Sequence, residues 1–155
     1  MIHAIHLVEV VQEPSALAFA FLKGDTLTKR TKIGTFSTRP KPLKVHFYKT
    51  EMSSEPVRDW LLGLPKVDRM TIGFDIATVQ FGWPLGMPLA RHIDGDLWEI
   101  RSSLEGRIAR TLFVIYRGHV ILLHGFIKKS QKTPREDLLV ARSRLKNFER
   151  GGYEQ

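Results

Sequence analysis

Three dipeptides constrain the fold of this chain more than any other feature. Asp94-Gly95, Glu105-Gly106 and Arg117-Gly118 each stand between two strand-like stretches. Short connections ending in glycine suit tight antiparallel hairpins, because glycine enters the left-handed backbone region without steric cost. They link residues 87–93, 97–102, 107–116 and 119–128 into an expected antiparallel meander. The last two stretches are apolar on both faces, which places them at the centre of a sheet.

The elements around the meander complete the class. Residues 43–48 alternate Val45 and Phe47 with Lys44, His46 and Tyr48, as in a half-buried strand. Ser53-Ser54-Glu55-Pro56 reads as a helix start, since proline suits the first helical position. Val57, Trp60, Leu61 and Leu64 follow at helical spacing, and Gly63 and Pro65 end that helix. Val67, Met70, Phe74, Ala77 and Phe81 form one apolar stripe on a second helix, expected to face the core and stopped by Gly82-Trp83-Pro84. At the far end, Thr133-Pro134-Arg135-Glu136 predicts a capped helix start, with Thr133 as the cap and Pro134 in the first turn. Leu138, Ala141, Leu145 and Phe148 make its buried stripe. The expected class is α+β: a small twisted antiparallel sheet with an N-terminal helical hairpin and a C-terminal helix.

Residues 1–42 read differently. Residues 2–11 have a strand-like flavour interrupted by Pro14, residues 15–22 are apolar, Gly24-Asp25 reads as a turn, and Arg39-Pro40-Lys41-Pro42 is a linker signature. We therefore divide the chain into an extension, 1–42, of uncertain structure and a domain, 43–155, expected to be self-sufficient.

Composition narrows the function. The chain of 155 residues has no cysteine. Disulfide frameworks, zinc ribbons, iron–sulfur clusters and thiol nucleophiles are excluded, and a reducing compartment fits. Apolar runs such as 16–22 and 120–123 are too short to span a membrane. Glu9 and Glu13 near the amino terminus argue against a secretory signal. A cytoplasmic protein without membrane partners is expected.

The net charge is +8, and it is unevenly placed. Residues 107–150 hold 11 Lys/Arg against 3 Asp/Glu, whereas residues 1–106 are nearly balanced. Such a field attracts polyanions. Charge alone leaves open a nucleic acid, an acidic protein partner or a merely solvated surface.

Several chemistries lack their residues. There is no glycine-rich phosphate loop, no histidine pair at metal-ligand spacing beside a carboxylate on one helix face, and no nucleophile-elbow context for Ser102-Ser103. His3 and His6 read as a solvated pair. What remains is a set of charges on strands. Glu99 and Arg101 share one strand face, Arg110 lies near the start of the next strand, and Lys128 near the end of the third. In a meander these ends converge on one rim. That rim could bind phosphate and stabilise developing charge. Equally, the charges could form ordinary cross-strand salt bridges.

Leu97-Trp98-Glu99-Ile100-Arg101, then Arg110, then His124-Gly125-Phe126-Ile127-Lys128-Lys129 followed by Thr133-Pro134, resembles the RelE/ParE toxin superfamily, and within it the HigB-like, phage-derived branch. The resemblance spans about residues 43 to 149. It implies a toxin of a type II toxin–antitoxin pair, most characterised members being metal-independent mRNA endoribonucleases that act at the ribosome. It implies no cofactor and no metal, with a helix-turn-helix, HigA-like antitoxin, mRNA and the ribosome as partners. By motif match, Arg101, Arg110 and Lys128 would carry the phosphate and transition-state role, both Arg110 and Lys128 being expected at the surface. Glu99 stands where relatives often have a basic residue; it could act as general base or orient Arg101. Lys129, Arg107, Lys132, Arg135 and Tyr116 would contact RNA. His124, between apolar Leu122 and Phe126, reads better as a structural histidine than as a base. Tyr153 would need the tail to fold back. Two alternatives stand beside this reading: a gyrase-directed, ParE-like toxin of the same fold, and a non-catalytic antitoxin-binding member.

Overall fold

A computed structural model describes residues 41–128 and 134–151. The expectations for residues 1–40, Lys129, Lys132, Thr133 and Tyr153 fall outside these residues. In chain order the elements are β1 (Lys44–Phe47), α1 (Pro56–Leu62), α2 (Lys66–Gly82), β2 (Ala90–Asp94), β3 (Leu97–Leu104), β4 (Arg107–Tyr116), β5 (His119–Lys128) and α3 (Arg135–Arg150). The class is α+β.

The turns explain the meander. Arg117 and Gly118 both have positive φ, 47° and 80°. That pair of angles belongs to the hairpin turn whose twist matches the strands it joins. β2, β3, β4 and β5 pair antiparallel in sequence order. The sheet as a whole is mixed, however, and this corrects the antiparallel expectation. β1 lies parallel to β5, with Lys44 opposite His119 and Phe47 opposite Leu122. The helical hairpin carries the chain from β1, at one edge, to β2, at the other. At the β1 edge His46 and His119 share a hydrogen bond of 2.8 Å between Nε2 and Nδ1.

Helices cover both faces. Val57 and Leu61 of α1 and Ile72, Ile76 and Val79 of α2 pack with Ile100, Phe113, Val120 and Leu122. On the opposite face, Ala141 of α3 packs with Leu97, Leu112, Val114, Ile121 and Leu123, flanked by Leu138, Leu145 and Phe148. The α3 stripe is thus the one expected; Pro134 stands at its N-cap rather than inside the first turn. For α1, Pro56 does take the first helical position.

The α2 stripe is a second correction. Ala77 of the expected stripe is buried, but Val67, Met70 and Phe74 are 74%, 62% and 49% exposed, and the helix buries Ile72, Ile76 and Val79 in their place. At roughly 100° per residue these two sets lie on nearly opposite sides of the helix. Both have helical spacing, and contact with Ile100 and Phe113 selects the β-branched side.

Gly125 seats α1 on the sheet. A Cβ there would stand 2.2 Å from Cε3 of Trp60, so only glycine lets the indole lie against β5. One residue further towards the strand's start, the β4–β5 register slips. Leu112 faces His124 while Phe113 faces Leu122, leaving Leu123 as the extra residue of a bulge. Its carbonyl accepts a hydrogen bond from Nη1 of Arg144 at 2.8 Å.

Candidate functional site

Strand register gathers the predicted charges. Arg101 of β3 pairs with Arg110 of β4, which pairs with Phe126 of β5. Glu99 lies two residues before Arg101, and Lys128 faces Ile108, two residues before Arg110. Because side chains alternate along a strand, Glu99, Arg101, Arg110, Phe126 and Lys128 all stand on the α3 face of the sheet. They lie beyond the apolar patch that α3 covers.

The cluster has a buried floor and a more open rim. Arg110 Nη1 donates to Glu99 Oε2 at 2.8 Å, and both side chains are sealed from solvent. This overturns the expectation that Arg110 lies at the surface. Arg101 is only partly covered. Its Nε sits 3.9 Å from the other Glu99 oxygen, and its Nη1 lies 3.7 Å from Sδ of Met87. Its backbone N–H donates to the Leu89 carbonyl at 2.9 Å, fixing the strand beneath it. Lys128 is partly exposed at the strand end. Desolvation pulls the Lys128 ammonium below its ordinary pKa, the Arg110 and Arg101 guanidiniums push the same way, and Glu99 opposes them. One carboxylate therefore serves two guanidiniums, with Lys128 close enough to feel all three. The excess positive charge can be relieved by an anion.

The burial of Glu99 has a chemical consequence. Sealed from solvent and hydrogen-bonded by Arg110, the carboxylate is held in the floor of the cluster. Its two oxygens reach Arg110 and Arg101, a geometry that fits the orienting of Arg101, one of the two roles the sequence leaves open. His124 is similarly committed. Its Nε2 donates to Asp137 Oδ1 at 2.8 Å, and its Nδ1 accepts from Arg144 Nη1 at 3.2 Å. With both nitrogens engaged by α3, it is a structural histidine.

Other predicted residues stand apart. Arg107 forms an ion pair with Asp68 of α2, tying β4 to the opposite helical layer. Tyr116 lies six residues along β4 from Arg110, roughly 20 Å away, where its ring meets Phe148 edge-on at 5.3 Å. Arg135 is exposed in the first turn of α3. Phe126 was missed. It is partly exposed, directly opposite Arg110 in register, and stacks on His124 with ring centroids 5.6 Å apart. It sets an apolar ring beside the cations of the cluster. The signal was available, since Phe126 and Lys128 are two apart and must share a face.

Among the described residues, no group of three or more His, Asp or Glu side chains converges as a metal site would require. None of the described helices is long and apolar enough to cross a membrane.

The fold and cluster define an α+β protein with a cationic, carboxylate-anchored site on one sheet face. The family model for phage derived protein Gp49-like (DUF891) matches residues 59–146, from α1 into α3, and the chain belongs to that family. No curated protein matches it.

Proposed function

We propose that this protein is the toxin of a type II toxin–antitoxin pair, a HigB-like member of the RelE/ParE superfamily that cleaves mRNA at the ribosome in the cytoplasm. The observation that carries the reading is the arrangement of Arg101 and Lys128 over the buried Glu99–Arg110 pair. Membership of a phage-derived family and the sequence resemblance support it.

In this reading the RNA supplies its own nucleophile. Its 2′-hydroxyl attacks the adjacent phosphorus, the bond to the 5′-oxygen breaks, and a 2′,3′-cyclic phosphate and a 5′-hydroxyl result. Arg101 and Lys128 hold the phosphate oxygens as charge builds in the transition state. Lys128, with its lowered pKa, gives a proton to the departing 5′-oxygen, and the 2′-hydroxyl proton passes to solvent. Glu99 and Arg110 are positioning residues. Phe126 receives a flanking base. The protein is held silent by a helix-turn-helix antitoxin.

The test is induced expression in a bacterium with mapping of RNA ends. We expect translation to fall before replication, with new 5′-hydroxyl ends in mRNA. Lys128→Ala should remove both effects, with cleavage reduced about 10²- to 10³-fold, the range for loss of one transition-state donor. Intact mRNA with replication arrested first would replace this reading by the gyrase-directed one.

A further inference from the structure

The solvent side of α2 is the least explained surface of the described residues. Val67, Met70 and Phe74 follow one another at i, i+3 and i+7, so they form one stripe. None of them joins either core cluster, and Leu62 at the end of α1 is also exposed. Three large apolar side chains in a row on a solvent face mark a contact surface.

We propose that this stripe is the seat of the chain's own apolar segment Ala16-Leu17-Ala18-Phe19-Ala20-Phe21-Leu22. Three observations choose this occupant. First, the chain ahead of β1 reaches the fold at α2 itself: the Leu43 N–H donates to the Gln80 carbonyl at 2.9 Å. Second, the geometry closes. From Gln80 back to Val67 is about 20 Å along the helix. Twenty residues separate Leu22 from Leu43, and a linker of that length can reach up to roughly 70 Å, well beyond this distance. Third, the segment carries no charge and two phenylalanines, which matches the stripe. A tethered segment acts at millimolar effective concentration, ahead of any free partner. The stripe lies on the helical-hairpin side of the sheet, away from the α3 face that carries Arg101 and Lys128, so the proposal stands independently of the toxin reading.

The absence of cysteine allows a direct test in the full chain. Met70→Cys reports on the stripe. Met52→Cys, at a position 92% exposed, is the reference. With a maleimide probe, we expect Met70→Cys to label about tenfold more slowly than Met52→Cys, as for a site covered roughly nine-tenths of the time. Adding Phe19→Asp and Phe21→Asp should restore the rate, and the protection should not change on dilution. Equal labelling at the two sites would overturn the proposal. So would protection that survives the Phe19 and Phe21 changes, which would point to another partner, or protection lost on dilution, which would point to a second copy. A Phe19→Cys/Met70→Cys chain forming an intramolecular disulfide under mild oxidation would support the seat even if the charged variant failed to fold.

Discussion

Arg110 Nη1 lies 2.8 Å from Glu99 Oε2, and the two side chains face each other across β3 and β4 with no access to water. A cation that sequence pattern places on a rim is in fact part of the floor beneath it.

Arg110→Ala should therefore unfold the protein before it informs on activity. Removing one member of a buried pair leaves the other charge uncompensated, at a cost of about 3–5 kcal/mol. Urea denaturation should show this loss. Replacing both residues, as Glu99→Leu with Arg110→Met, should recover most of it, because well-packed apolar pairs often match buried ion pairs. If Arg110→Ala proves as stable as the parent, the pair does not support the sheet.

Lys128→Ala should behave in the opposite way. The residue is partly exposed at a strand end, so its loss should leave the denaturation midpoint nearly unchanged. If it gives the proton to the leaving oxygen, the alkaline limb of RNA cleavage should fall below the ordinary lysine range. Lys128→Arg should move that limb upward. A pH–rate profile under single-turnover conditions checks both.

Gly125→Ala should be destabilising out of proportion to one methyl group. Its Cβ would meet Cε3 of Trp60 at 2.2 Å, and overpacking of this kind costs about 1–3 kcal/mol. The combined Gly125→Ala and Trp60→Leu chain should regain part of the loss. Thermal melts of the two variants decide the point.

Asp75 gives the fold a pH dependence of definite sign. Burial raises its pKa, with the Ser102 hydroxyl pulling the other way. The folded chain thus holds this proton more tightly than the unfolded chain. The contribution is fully present below the ordinary aspartate range and is lost as pH rises through the raised value. Asp75→Asn should flatten stability against pH across that window and should be the more stable protein at neutral pH. Denaturation midpoints at several pH values measure it.

The elements were legible where local rules act alone. Glycine turns and period-two patterning gave the β2–β5 meander, and Leu138, Ala141, Leu145 and Phe148 gave the buried side of α3. Long-range choices were not legible. The helix α2 has two apolar arcs, Val67–Met70–Phe74 and Ile72–Ile76–Val79, and periodicity fixes spacing without saying which arc meets the sheet. Residues 43–48 announce a strand but not its partner, so the parallel seat of β1 beside β5 required the structure. In the candidate site, the convergence of Arg101, Arg110 and Lys128 followed from topology. The division into floor and rim did not, because it depends on Glu99, two residues from Arg101 and diagonal to Arg110, being buried beneath both.

The parallel seat of β1 also fixes the order in which the molecule can be completed during synthesis. Lys44 to Phe47 find their partners at His119 to Leu122, so an early stretch of the chain waits for one of the last. Pairings that close such long loops come late, since their entropy must be met before any contact rewards it. The same β5 carries Phe126 and Lys128. Until that strand has left the ribosomal tunnel, the nascent chain has neither a closed sheet nor an assembled cationic rim, and the two arrive together.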